Sequence, residues 1–412
     1  MKYGLIGEKL GHSFSKEIHQ QLFDYSYELK EIEPAKVERY FQQRAFSAIN
    51  VTIPYKETVI PFLDAVDEVA ESIGAVNTVV NRDGKLYGYN TDFLGLKALI
   101  LHAGMNFTDK TVLVLGSGGT SKTAMAVAKA LNCRQAMRVS RTKKDGCITY
   151  EQAIQQYQNA EYIINTTPCG MYPNIGESAV NLVDFPSLEG VVDVVYNPLR
   201  SKLVCDALSR GVPATGGLYM LVAQAAYAAQ LFTGKVVPAE RIDPIYNELI
   251  SKKQNLVLIG MPGCGKTTIG KALAQQIGLA FVDTDEEIVR VEKRTIPEIF
   301  SADGEMYFRQ VESAVIRQIS LRQGCVIATG GGAVLNPENM ALLRENGRLY
   351  FLDRSLENLC ATADRPLSAN KTALEQRYHE RYALYCHECD QRIPANANID
   401  AVIKHIREDL IE

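Results

Sequence analysis

The chain has 412 residues, 46% of them hydrophobic and 22% charged, with 30 Gly and 15 Pro. That is ordinary globular usage, enough for two or three domains of roughly 150 residues each, and it excludes a fibrous repeat or extended disorder. With 48 acidic and 44 basic residues the formal charge is −4, so no field favours nucleic acid, and no run of 18 apolar residues points to a membrane.

Nine cysteines, an odd number scattered along the chain, argue against a disulfide framework and for a reducing, cytoplasmic setting. In chain order, apolar runs at Lys2–Ile6, Tyr27–Ile32 and Ala48–Ile53 alternate with helical patterns, and Asn77–Tyr89 predicts a hairpin turning at Asp83-Gly84. The strand Thr111–Leu115 then meets a glycine turn and an alanine-rich helix ending at Leu131, the pattern of a dinucleotide-binding α/β unit. Further strands are expected at Ala136–Ser140, Tyr162–Ile164 and Val191–Val194, and an apolar helix at Leu218–Phe232. Beyond it, Lys235 to Gln254 is polar and carries Pro238 and Pro244, which predicts a connector, helical from Glu240 to Lys253. A third α/β unit starts at the strand Asn255–Ile259. The expected organisation is a substrate-binding α/β domain over 1–96 completed by the 217–234 helix, a Rossmann domain over 97–216, a linker over 235–254, and a P-loop domain with a parallel sheet over 255–412.

Directly after that third strand, Gly260 to Thr267 fits GxxxxGKT and opens a helix. Gly263, Cys264 and Gly265 would cradle phosphates with their backbone N–H groups, Thr268 at the helix start would join them in binding the nucleotide, Lys266 would reach the outer phosphates and Thr267 Mg²⁺. Asp283 and Asp285 end the next strand. On an extended strand they point the same way, one toward a metal and one toward an acceptor hydroxyl; the plainer alternative is a helix N-cap with an acidic first turn. Arg309 and Glu312, three apart on a helix, are either an exposed ion pair or a carboxylate-binding Arg held by its neighbour.

The Walker loop, DTD, GEMYFRQVE, the triple glycine 330–332, DRPLS and ERYALY follow one another as in shikimate kinases, a resemblance spanning about Asn255–Glu412. It implies ATP and Mg²⁺ as cofactors, Asp285 as base on the acceptor hydroxyl and Asp283 supporting Mg²⁺. It further implies that Arg309 and Arg381 grip a carboxylate, that Gly330, Gly331 and Gly332 line the ring, and that Arg365 closes over the phosphates. The chain departs from that pattern at RPLS, where the family has RPLL, and at Cys389, where a small alanine is usual. Cys386 and Cys389 form a lone CxxC, read as two packed helical thiols rather than a metal site.

In the first half, Gly116, Ser117, Gly118, Gly119 and Thr120 form a GxG turn, with Ser121 where a third small residue belongs. The next strand ends not in an acid but in Ser140, Arg141, Thr142, Lys143 and Lys144, a cluster suited to a 2′-phosphate and hence to NADP; a solvated surface loop is the alternative. Ser13 and Ser15 lie in GHSFS, Thr52 and Lys56 in NVTIPYK, Asn77 in AVNT and Asp92 in YNTD. Taken singly, Ser15 and Asp92 read as helix caps and Lys56 as a surface residue. With Thr166 in NTTPCGM, Tyr196 in YNP, and Gly217 through Gln224, the set resembles shikimate dehydrogenases over about Met1–Gly234. The resemblance implies that Ser13, Ser15, Thr52, Asn77, Asp92, Tyr196 and Gln224 hold a hydroxylated ring acid, while Lys56 and Asp92 form the catalytic pair and the glycine loop, Thr166 and Gly217 meet the dinucleotide.

The expectation is a bifunctional enzyme reducing 3-dehydroshikimate with NADPH and phosphorylating shikimate with ATP. A quinate-using dehydrogenase fused to another small-molecule kinase, or one half acting as an inactive ligand sensor, are the alternatives. Small molecules, not nucleic acid or membrane, are the expected partners.

Overall fold

Asp83 and Gly84 both take positive φ, 53° and 83°, the conformation a tight two-residue hairpin turn requires, and they join two antiparallel strands in a computed structural model that describes residues 2–11, 14–359 and 371–410. The strands are the fifth and sixth of a six-stranded mixed sheet built from β1 (Tyr3–Gly7), β2 (Tyr27–Glu31), β3 (Ala48–Val51), β4 (Ala65–Val66), β5 (Thr78–Arg82) and β6 (Lys85–Tyr89), in the order β2-β1-β3-β5-β6-β4. Ile6, Phe41, Ile49, Val79 and Leu86 pack one core on this sheet, while Leu5, Tyr27, Ala48 and Phe232 pack another.

The second sheet comprises β7 (Thr111–Leu115), β8 (Gln135–Ser140), β9 (Cys147–Thr149), β10 (Tyr162–Asn165), β11 (Gly190–Asp193) and β12 (Ala214–Thr215). All its pairings are parallel and the order is β12-β11-β10-β7-β8-β9, so chain direction across the sheet reverses at β7 and opens a crevice where the glycine turn sits. Helix Thr91–His102 and helix Leu218–Thr233 cross closely at Gly95, where a Cβ would lie 2.7 Å from the Met220 carbonyl oxygen. Position 96, a boundary read from sequence, therefore falls inside an unbroken helix.

The third sheet is parallel throughout: β13 (Asn255–Ile259), β14 (Ala280–Asp283), β15 (Cys325–Ala328), β16 (Gly347–Asp353) and β17 (Gln391–Pro394), in the order β14-β15-β13-β16-β17. Val257, Ile327 and Phe351 face one core and Leu258, Val326 and Leu352 the other, as expected of a sheet covered by helices on both sides. Chain contacts divide the molecule into a unit of Met1–Met171, Glu177–Asn197 and Leu203–Glu248 and a unit of Tyr172–Gly176, Pro198–Lys202 and Leu249–Glu412. Within the connector a 3₁₀ turn at Ala239–Arg241 leads into helix Ile242–Lys253. The described cysteines are all free, and no described helix is long and apolar enough to cross a membrane.

Candidate active sites

In the first unit, β3 and β6 bring a lysine and a carboxylate together. Lys56 follows β3 after a short turn; Asp92 sits in the first turn of the helix that β6 feeds, with Asn90 as its N-cap accepting from the Phe93 N–H at 3.1 Å. Lys56 Nζ donates to Asp92 Oδ2 at 2.6 Å, and both side chains are largely buried, 19% and 12% exposed. Beside this pair Asn77 is held by a polar cluster: its Oδ1 accepts from the Thr91 N–H at 2.7 Å and from Thr78 Oγ1 at 3.1 Å, and its Nδ2 donates to Thr91 Oγ1 at 3.1 Å. Asn50, buried on β3, donates to Thr78 Oγ1 at 3.0 Å and accepts from Tyr27 OH at 2.8 Å. Ser15 opens helix Ser15–Leu22 and is buried. Phe14, between the two predicted serines, meets the Tyr196 ring at 5.5 Å between centroids. Thr52 packs its methyl against Gly7, and Gln224 donates to its own helix at Leu221 O, 2.9 Å. Ser13 and Arg365 lie outside the described residues.

The glycine turn follows β7. A Cβ on Gly116 would lie 2.5 Å from Thr166 Oγ1, which itself donates to Leu115 O at 2.6 Å, so Thr166 supports the turn from behind. Gly118 caps helix Gly119–Ala130, and nothing lies within 4 Å of a Cβ built there. Ser121 is buried and donates to Gly118 O at 2.6 Å, locking the helix start. Gly217 cannot carry a side chain, since its Cβ would lie 2.5 Å from the Val194 carbonyl carbon. Thr120 lies in the first turn of the helix and Ser140 is buried at the end of β8. Arg141, Thr142 and Lys143 are exposed; it is Lys144 that reaches the turn, donating to Ser117 Oγ at 3.0 Å.

In the second unit, Gly260, Gly263 and Gly265 take φ of 144°, 80° and 101°, the left-handed conformations that curl the loop between β13 and helix Lys266–Ile277. Lys266 Nζ is buried and donates to the carbonyls of Gly260 at 2.7 Å and Met261 at 3.0 Å; Cys264 is buried and Thr268 exposed. The expectation that Asp283 and Asp285 share an extended strand end is corrected: β14 stops at Asp283, and Asp285 lies in the first turn of helix Thr284–Glu292. Asp283 Oδ1 accepts from the Asp285 N–H at 2.9 Å, because a strand running into a helix leaves those first N–H groups unpaired, and its Oδ2 accepts from Thr267 Oγ1 at 2.7 Å.

Asp285 then faces Gly330, whose Cβ would lie 2.8 Å from Asp285 Oδ1 and 2.8 Å from Glu312 Oε1. Arg309 Nη1 donates to Glu312 Oε2 at 2.7 Å and its Nη2 to Glu305 Oε1 at 3.1 Å. Arg381, 5% exposed, donates to Gly331 O at 2.9 Å, an acceptor shared with Tyr385 OH at 2.5 Å. Burial raises the Glu312 carboxyl pKa against the pull of Arg309; burial also lowers the Arg381 pKa, helped by the Arg309 and Arg377 charges. Two buried polar atoms here have no hydrogen-bond partner, Glu312 Oε1 and Arg381 Nε. The cluster thus holds an acceptor and a cationic donor that no neighbouring protein group satisfies.

Residues 5–79 match the family model for the shikimate dehydrogenase substrate binding domain, and residues 217–243 that for the shikimate 5′-dehydrogenase C-terminal domain. A shikimate dehydrogenase (NADP(+)) of Clostridium perfringens is 38% identical over 265 residues, covering 60% of this chain and 97% of that protein. The chain belongs to the shikimate dehydrogenase family. Shikimate dehydrogenase 1 of Peptoclostridium difficile matches with a TM-score of 0.56 at 34% identity, over 60% of this chain and 98% of that one. A shikimate 5-dehydrogenase of Thermus thermophilus, solved with NADP(H) and shikimate, gives 0.55 at 26% identity, over 60% and 99%. Residues 262–411 match the shikimate kinase family model, so a kinase domain follows the dehydrogenase half.

Several residues of these sites escaped sequence reasoning. Asn50 stood in NVTIPYK but was assigned no role, and Thr78 and Thr91 carried no signal of their own. In the dehydrogenase half Lys144 belonged to the basic cluster, yet nothing in the spacing distinguished it from Lys143. In the kinase half Arg354 lies 3.7 Å from where a Cβ on Gly265 would begin, and its buried Nε has no partner; no motif marks it.

Proposed function

We propose that the chain reduces 3-dehydroshikimate to shikimate in its first half and phosphorylates the 3-hydroxyl of shikimate in its second. The observation that carries this reading is the unmet demand around Glu312 and Arg381: an unpartnered acceptor beside a buried guanidinium suits a hydroxylated ring acid, the same compound class that the dehydrogenase half would release. The reading includes substrate and cofactor domains on the first two sheets, a kinase domain from residue 255, and a cytoplasmic setting.

In the first half, NADPH supplies the hydride for the ring ketone. The open space at Gly118 and the helix start at Gly119 fit its pyrophosphate, and Lys144 with Arg141 and Lys143 fit the 2′-phosphate. Lys56 donates the proton to the ketone oxygen as the carbon is reduced, and Asp92 holds the ammonium on that oxygen and stabilises its charge. Asn77, fixed by Thr91 and Thr78, and Ser13, Ser15, Thr52, Tyr196 and Gln224 orient the ring.

In the second half, MgATP supplies the phosphoryl group. The loop Gly260–Lys266 fits the phosphates, and the paired oxygens of Thr267 and Asp283 fit the metal. Asp285 accepts the proton of the acceptor hydroxyl, Arg309 and Arg381 bind the ring carboxylate, and Lys266 exchanges its loop carbonyls for phosphate oxygens. Intact Lys56, Asp92, Lys266 and Asp285 speak against an inactive sensor half. The test is one reaction of dehydroshikimate, NADPH and MgATP followed by mass spectrometry. Shikimate and then shikimate 3-phosphate are expected, the first lost in Lys56→Ala and only the second lost in Lys266→Ala. A folded chain that yields no phosphate ester from added shikimate would refute the reading.

A further inference from the structure

Within the first unit, a cavity of about 460 Å³ lies between the start of helix Thr91–His102 and the end of helix Leu218–Thr233. That volume falls in the range of small-molecule sites, about 300–1,000 Å³. None of the residues assigned above to substrate or cofactor lines it. Its walls carry the rings of Tyr89, Phe93 and Tyr227 together with Leu231, all half-buried. Two exposed charges of opposite sign, Asp67 and Lys235, line the same space, and among the described residues neither side chain has a hydrogen-bond or ion-pair partner. Gln230 also lines it, with Oε1 taken by the Val237 N–H at 3.2 Å and its Nε2 left to donate.

We propose that this cavity binds a free α-amino acid with an aromatic side chain. The rings offer edge and face contacts to an aromatic group, Lys235 and the Gln230 amide suit its carboxylate, and Asp67 suits its ammonium. A neutral apolar molecule would use neither charge, and a dianion would meet Asp67. Thr91 lines the cavity too, and it is the residue that holds Asn77 and precedes Asp92, so the occupant touches the frame of the dehydrogenase site without entering it.

The test titrates the full chain with L-phenylalanine by calorimetry, with phenethylamine and 3-phenylpropionate as probes lacking one charge each. Saturable one-to-one binding is expected, weaker for either single-charge probe. Lys235→Ala and Asp67→Asn should each weaken L-phenylalanine about three- to tenfold, as loss of a partly exposed charged contact does, and Lys235→Arg should restore it. Saturating shikimate should leave the affinity measurable, because the sites do not overlap. No saturation up to about 10 mM, equal binding of all three probes, unchanged affinity in both charge variants, or displacement by shikimate would overturn the proposal.

Discussion

Gly332→Ala tests the kinase pocket with one methyl group. Gly332 has φ −104° and ψ −8°, a conformation alanine adopts without strain, so any effect is steric. A Cβ there would lie 2.5 Å from both Cζ and Nη2 of Arg309 and closer still to Nη1, where real Cβ atoms essentially never approach within 3.0 Å, so the guanidinium must move by more than about 0.5 Å. Arg309 is not free to yield, since Glu312 and Glu305 hold its two terminal nitrogens. Displacing it misaligns a charge-assisted contact to the ring carboxylate worth about 1.5–3 kcal/mol, which converts to about 10- to 150-fold in kcat/KM for shikimate. The assay follows ADP release at saturating MgATP, and an unchanged ATP KM in the same sample shows that the kinase half is folded. A kcat/KM for shikimate within twofold of wild type would refute the placement of Arg309 on the substrate.

Lys144→Ala should raise the NADP KM roughly tenfold or more while leaving the NADPH-saturated rate close to wild type, with Arg141→Ala acting in the same direction; equal changes for NADP and NAD would remove both from the 2′-phosphate. Arg354→Ala should raise the ATP KM several-fold without changing the shikimate KM, and a change confined to shikimate would place the guanidinium elsewhere. His19 is buried against Tyr27 at 4.0 Å between ring centroids and bonded through Nδ1 to Tyr25 OH at 2.5 Å, and burial holds its pKa at about 3, against an ordinary 6.5. The unfolded chain binds that proton below pH 6.5 and the native one does not until about pH 3, so stability is full above 6.5 and falls as pH drops toward 3, by about 1.4 kcal/mol per unit. His19→Phe should flatten that part of the slope in hydrogen-exchange opening energies of β1 measured between pH 7 and 5; an unchanged slope would assign it to other groups.

Much of this was legible because local chemistry dictates it. Asp83-Gly84 demanded a hairpin, and the glycines of GxxxxGKT demanded the left-handed turns that curl the loop after β13. What stayed hidden depends on which strands become neighbours. Asn50 and Thr78 meet only because β3 pairs antiparallel with β5, and Arg354 reaches the glycine loop after β13 only because β16 lies beside β13. At Asp283–Asp285 the extended-strand reading gave way to its plainer alternative for a local reason: the capping power of Asp283 ended the strand two residues early.

The unpartnered Glu312 oxygen and Arg381 nitrogen have a consequence for the protein's persistence as well as its chemistry. Each is a buried polar atom with no protein partner, so on the proposed reading the kinase fold gains most from a bound ring acid. A metabolite that answers both atoms stabilises the native state by mass action, about 2.7 kcal/mol at a hundred times its dissociation constant. Supply of the compound would then govern how often this half opens to proteases and chaperones, and the abundance of the enzyme would follow the flux it serves.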